Sequence, residues 1–320
     1  PTTGDRINRM TATLTKPINI YEVSPRDGLQ NEKTILPTSI KLQLIEQLIE
    51  AGIRDIEVTS FVRPSWIPQL ADAADLVAQL PEVEGVRYWG LIPNRRGLER
   101  AIDCGLQNVA TFLSASETHN KKNLNRTQRE TLAVQTNMIE SAKAEGLTVR
   151  AYISTVFGCP YEGAVDVQRT ARLSVALRDA GADVIVLGDT IGTGLPHQVK
   201  DVVSQVTDAG IPIEQLALHM HDTRGTAVVN VIAGIEAGIR TFDGSIGGVG
   251  GCPYAPGAAG NAATEDLIHV LTALGWDTGV NLRTASSVGA FLSKALDRPL
   301  PKRMNRYLQG NRCGVQTYSA

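Results

Sequence analysis

Cysteine is scarce in this chain: four residues in 320, with no two spaced as Cys-x-x-Cys. That fits reduced thiols better than a disulfide framework or a zinc finger, so Cys104, Cys159 and Cys313 read as packing or surface residues. An excess of positive charge is also missing. The 31 Lys and Arg stand against 33 Asp and Glu, for a net charge of −2. Nucleic-acid binding would need a basic stripe, so that class is set aside. No apolar run is long enough to span a bilayer. Residues Pro1 to Lys16 lack the apolar core of a signal peptide. Arg6 and Arg9 there stand beside several threonines, so a mature mitochondrial matrix form with a removed transit peptide is the alternative to the expected cytoplasmic, bacterial-type location. Finally, no Gly-x-Gly-x-x-Gly follows the first predicted strand, which counts against a dinucleotide-binding doubly wound sheet.

What is present is a repeated unit. A helix-like segment closes on glycine, and an apolar strand follows within a few residues. The glycines are Gly52, Gly85, Gly105, Gly146, Gly181, Gly210 and Gly238. They precede strands predicted at 55–58, 86–89, 109–112, 149–156, 183–187, 216–219 and 240–242. Glycine past a helix end takes the left-handed conformation without steric cost and turns the chain back into the sheet. With a first strand at Ile18 to Val23 this gives eight strands separated by helices. The clearest helix runs from Thr38, read as its N-cap, to Ala51, with Ile40, Leu44 and Leu48 on one stripe. Eight such units over about 275 residues predict an α/β fold, a (β/α)8 TIM barrel at about 18–280 in one domain spanning 1–320. A C-terminal helical extension at about 281–320, with a helix over Ala285 to Leu296, would pack on the barrel or on a second subunit.

Barrel chemistry sits where strands end and loops begin. Arg26 and Asp27 follow strand 1, Glu57 lies near the end of strand 2, and Asp189 ends strand 6. His219 and His221 end strand 7, two residues apart and so on one face, which makes a chelate for a divalent metal. Cys252 and Asn261 occupy the glycine-rich loop after strand 8. In a closed barrel strand 8 pairs with strand 1, so these residues meet at one rim. Two imidazoles, a carboxylate and an amide oxygen favour Mg²⁺ or Mn²⁺ over zinc.

The motifs Ser24-Pro25-Arg26-Asp27-Gly28-Leu29-Gln30-Asn31-Glu32, Glu57-Val58-Thr59-Ser60-Phe61 and Phe157-Gly158-Cys159-Pro160-Tyr161-Glu162 point to one family. So do Leu187-Gly188-Asp189-Thr190-Ile191-Gly192, His219-Met220-His221-Asp222 and the Gly250 to Asn261 loop. From about Ile18 to Leu274 the chain resembles the 3-hydroxy-3-methylglutaryl-CoA lyases of the DRE-TIM metallolyase superfamily. The resemblance implies Asp27, His219, His221 and Asn261 as metal ligands, Cys252 as the catalytic thiol and Arg26 as the stabiliser of enolate charge. It implies retro-Claisen cleavage of an acyl-CoA, with Asp27 or His219 as base and Glu57 holding Arg26. Gln30, Glu57 and Asp189 are candidate substrate contacts. Lys33, Lys121, Lys122 and Arg126, with Asn123 as polar anchor, are candidates for the CoA phosphates. At Thr118-His119-Asn120 the chain departs from the more apolar stretch expected, so His119, with Trp89, is expected to line an altered entrance. Other readings are a lyase for a different 3-hydroxy-3-alkylglutaryl-CoA, a Claisen-condensing 2-keto acid/acetyl-CoA synthase, and a non-catalytic metal-binding scaffold. The partner is a small acyl-CoA, and the expected assembly extends to a homodimer or higher homo-oligomer.

Overall fold

A computed structural model describes residues 17–251, 260–300 and 303–310. The strands are β1 (Asn19–Glu22), β2 (Asp55–Ser60), β3 (Arg87–Leu91) and β4 (Asn108–Ser114), then β5 (Thr148–Ser154), β6 (Val184–Asp189), β7 (Leu216–Met220) and β8 (Thr241–Gly244). They form a closed barrel in sequence order, every pair parallel, with β8 returning to β1. The TIM barrel read from the repeat is therefore the fold. All seven junction glycines have positive φ, from 77° at Gly146 to 106° at Gly238, so each does what its position requires.

Edges shift by a few residues. The predicted fifth strand ran to Val156, but β5 stops at Ser154 because Thr155 turns left-handed, φ 60°. Helix α1 (Thr38–Glu50) begins on Thr38 itself. Pro37 is the cap residue, and the Thr38 hydroxyl donates to Asp72 instead of capping. The helix after the barrel starts three residues earlier than read, at Leu282, and ends at Ala295. It packs against α1, and Asn281 N donates to Ala51 O, tying the segment to the barrel's outer layer.

Two layers of core result. Between sheet and helices lies a continuous apolar layer that includes Leu44, Leu48, Ile56, Val58, Val149, Leu187 and Leu218, all buried. Inside the barrel the filling is mixed. Leu91, Ala110, Tyr152, Val186 and Ala217 form one cluster, and Tyr21, Val23 and Trp89 form another. Buried charges thread through this interior: Glu57, Asp55, Arg150 and Asp243. The interior is thus a polar floor on which the rim is mounted.

Candidate active site

After β1 the chain makes a single π-type turn, Ser24–Gly28, with Pro25 at its start. Such turns recur at functional sites because they re-aim side chains that a regular helix would point elsewhere. Here the turn sets Arg26 and Asp27 over the barrel mouth. Arg26 is 6% exposed. Its Nε donates to Glu57, and its Nη1 donates to Asp27 Oδ1 at 2.7 Å. Among the described residues no bond uses its Nη2. Gln30 Nε2 also donates to Asp27 Oδ1, at 2.8 Å.

From the other end of the chain, β7 delivers His219, and His221 follows immediately after the strand, bridged to Asn261. The imidazole centroids are 5.2 Å apart. Asp27, His219 and His221 each present a ligand atom, and these atoms lie within 4.8 Å of one another. Asn261 joins them: its Nδ2 donates to Asp27 Oδ2 at 2.8 Å and to Val249 O at 3.1 Å. Its Oδ1 is buried and takes no hydrogen bond. An orphaned buried carbonyl oxygen is costly unless an ion or donor meets it. That oxygen, the two imidazoles and the carboxylate fit a hard or borderline divalent cation.

Electrostatics agree with a ligand role. Burial alone would raise the Asp27 carboxyl, but Arg26, His219, His221 and the Asn261 amide together pull it down to about 2. Burial disfavours the charged His219 ring, yet Asp243, with Asp27 adding, raises its pKa above the ordinary value. His219 Nδ1 lies 2.9 Å from Asp243 Oδ2. Because a carboxylate only accepts, Nδ1 carries the proton and Nε2 keeps the lone pair, as metal binding requires.

Several expected contacts are corrected. Glu57 is fully buried and accepts from Arg26, from Tyr21 Oη at 2.8 Å and from Tyr152 Oη at 3.0 Å. It positions Arg26 from below and is not among the described residues lining the cavity beside Arg26. Asp189 is likewise buried, its two oxygens taking the backbone N–H of Thr193 (3.0 Å) and Gly194 (2.9 Å). It holds the loop after β6 and is not among the residues lining the cavity. Trp89 sits inside the barrel, donating to Asp55 Oδ1 at 2.8 Å, and lines no entrance. Lys33, Lys121, Lys122 and Arg126, expected at the CoA phosphates, are exposed and outside the cavity lining, a placement that leaves that expectation open to them; Lys122 Nζ lies 4.8 Å from the Tyr161 ring centroid. Cys159 is buried, its Sγ bonded to Ser116 Oγ, and Cys104 is half-buried. Cys252 and Cys313 lie outside the described residues.

The cavity itself measures about 430 Å³. Arg26, Asp27, His219 and His221 form one wall, Leu91, Phe112 and Ile153 another, and Gln30, His119 and Asn123 stand among the remaining lining residues. Sequence reading missed its support. Arg150, reaching from β5, donates to Asp243, which also accepts from Tyr152 Oη at 3.0 Å and from His219. The signal was an Arg and a Tyr two apart on a strand and an Asp inside another, all facing a barrel interior expected to be apolar.

Comparison with known proteins gives a consistent result. Residues 17–292 match the family model described as HMGL-like. The hydroxymethylglutaryl-CoA lyase of Bacillus subtilis is 47% identical over 288 residues, covering 90% of this chain and 96% of that protein. The mitochondrial hydroxymethylglutaryl-CoA lyase of Bos taurus is 46% identical over 286 residues, covering 89% and 88%. Among solved structures, an HMG-CoA lyase from Acinetobacter baumannii in complex with coenzyme A and 3-methylmalate superposes with a TM-score of 0.88 at 36% identity, covering 97% of this chain and all of that one. With this barrel, this rim and these relatives, the chain belongs to the HMGL-like family.

Proposed function

We propose that the chain is a metal-dependent carbon–carbon lyase that cleaves 3-hydroxy-3-methylglutaryl-CoA to acetyl-CoA and acetoacetate. The observation that carries this reading is the meeting of Arg26 with Asp27, His219, His221 and the orphaned Asn261 oxygen at one wall of one cavity. Asp27, His219, His221 and Asn261 would hold Mg²⁺ or Mn²⁺. A bound ion supplies Lewis acidity at the tertiary alcohol, whose ionisation at pH 7 otherwise costs about 12 kcal/mol for a pKa of ~16.

The chain's own groups do the rest. Asp27 and His219 are the candidates to take the hydroxyl proton. With its carboxyl near 2, Asp27 serves better as ligand than as base. As the C2–C3 bond breaks, electrons collect on the thioester oxygen. Arg26 is held charged and fixed by Glu57 and Asp27, with Nη2 in hand for that oxygen. The enolate then needs a proton at carbon. Cys252, on the glycine-rich loop that leads to Asn261, fits as a neutral thiol with an ordinary pKa of ~8.5. Gln30 and Asn123 line the cavity where an extended acyl-CoA would leave it, and the exposed Lys33 and Lys122 stand on the same two segments for its phosphates.

The test is direct. Purified protein with Mn²⁺ or Mg²⁺ should release acetyl-CoA from 3-hydroxy-3-methylglutaryl-CoA, lose activity on chelation and regain it with metal. No cleavage, or condensation of a 2-keto acid with acetyl-CoA instead, would reject the assignment. Cys252→Ala should keep metal binding and lose ~10²-fold or more in kcat, with little recovered by Cys252→Ser.

A further inference from the structure

The chain runs on past the barrel and returns to the active-site rim. Helix Leu282–Ala295 ends on the outer layer, and Asp297 then takes a left-handed φ of 50°. A non-glycine residue is sterically disfavoured there, so the turn is kept for what it aims. Arg298 follows, hooked to the helix end by both backbone groups. Its N donates to Ser293 O at 3.1 Å, and its O accepts from Ser293 Oγ at 2.6 Å. The guanidinium is thereby presented to Glu32, with Nε donating to Oε2 at 3.0 Å and Nη2 donating to Oε1. The Glu32 side chain is only 11% exposed.

Glu32 closes the stretch of chain that carries the site. Its N donates to Leu29 O at 3.0 Å, just after the short turn Leu29–Asn31, and its O accepts from Gln69 Nε2 at 2.7 Å. Arg26, Asp27 and Gln30 stand just before it in the same pair of turns. Shortly beyond Arg298, Leu300 is buried against the opposite loop. A Cβ on Gly247 would lie 2.3 Å from Leu300 Cδ1, so the leucine seats directly on the backbone of the turn Ile246–Gly248. The next residue, Val249, gives its carbonyl to Asn261 Nδ2. One short segment thus touches the loop bearing Asp27 on one side and the loop leading to Asn261 on the other. Those loops follow β1 and β8, the two strands that close the barrel.

We propose that Arg298 is a positioning residue for the metal centre. Acting through Glu32, with Leu300 as the opposite foot, it keeps Asp27 and Asn261 at the separation from which both reach one cation. The proposal rests on the reading of Asp27 and Asn261 as ligands. Affinity at such a centre depends on ligands held in place before the ion arrives, so a clamp outside the cavity registers in metal binding. Arginine suits the task because its planar fork meets both carboxylate oxygens, which a lysine cannot do.

The experiment measures Mn²⁺ affinity of the full chain by chelator competition, beside denaturant unfolding. Arg298→Gln and Glu32→Gln should each weaken Mn²⁺ binding by roughly three- to tenfold. The double variant should lose no more than the weaker-binding single variant, because each residue acts through the other. Lys143→Gln is the control. It breaks the Lys143–Asp183 pair, whose lysine is about as exposed as Arg298 (35% against 39%), on a different part of the barrel. Whatever it does to stability, it should leave Mn²⁺ affinity unchanged. Wild-type affinity in Arg298→Gln, additive losses in the double variant, or equal weakening in Lys143→Gln would overturn the clamp. A wild-type protein that binds no Mn²⁺ would overturn the ligand reading itself, and this inference with it.

Discussion

Arg26 divides its guanidinium between two carboxylates, Nε to Glu57 and Nη1 to Asp27. Lysine keeps the charge but has no fork to do both, so Arg26→Lys should lower kcat by ~10²-fold while KM moves little. A change confined to KM would make Arg26 a ground-state binder. Asp243 acts one step further back, by fixing the proton on His219 Nδ1. Asp243→Asn, which can donate to that nitrogen and invert the tautomer, should weaken Mn²⁺ affinity by roughly 10- to 100-fold, read by chelator competition. Wild-type affinity in that variant would remove Asp243 from the metal centre. Between them these two residues show what a sequence exposes. Arg26 sits in a motif beside Asp27 and was legible. Asp243 has no local motif, and its meaning comes from Arg150 and Tyr152, 93 and 91 residues away in the chain.

The junction after β8 does two jobs. Gly250 takes φ 108°, and a Cβ there would lie 2.5 Å from Asn261 Nδ2. The amide end can swing away more easily than the backbone can. Gly250→Ala should therefore weaken metal binding severalfold through Asn261, beyond the strain of a left-handed alanine. Unaltered metal affinity would show the amide was not displaced. Below the loop, Gly247 N donates to both oxygens of Glu265, on the helix Thr264–Ala273. Burial, with Glu22 adding, raises the Glu265 carboxyl from 4.5 to about 8. The folded state thus holds that proton more tightly than the unfolded chain. The stability it confers is complete below about 4.5 and is lost as pH climbs toward 8. Melting temperature should fall by a few degrees between pH 6 and 8.5, and Glu265→Gln should flatten that slope. An identical slope in the variant would assign the titration elsewhere. Strand and helix order were readable from the glycine spacing, because each junction glycine answers a local steric demand. Element edges were less so: β5 ends early because Thr155 turns left-handed, with its hydroxyl 2.8 Å from Ser114 Oγ on β4, a tertiary contact without a local signal.

For the molecule as a whole, the barrel interior carries a buried ion pair where apolar layers are the usual filling. Arg150 bonds Asp243, and its guanidinium lies 3.8 Å from the centroid of the Tyr21 ring. Arg150→Met strands the Asp243 charge and should cost about 3–5 kcal/mol by denaturant unfolding, with loss of metal affinity alongside. A loss below about 1 kcal/mol would mean that the interior relaxes around the lone carboxylate. Topology was legible because closure follows from eight repeated units, but the charged floor was not, since hydrophobic periodicity describes the outer layer and says little of the inner one. Closure also sets a timetable. Glu22 on β1 accepts from Ile246 N and Thr264 Oγ1, and Asp27 meets Asn261 across 234 positions. On the ribosome, the first half of the proposed metal centre emerges long before the second exists. A nascent chain stalled ahead of β7 would hold Arg26 and Asp27 without their partners, so on the proposed ligand set metallation would wait for the later strands and report that the ring has closed.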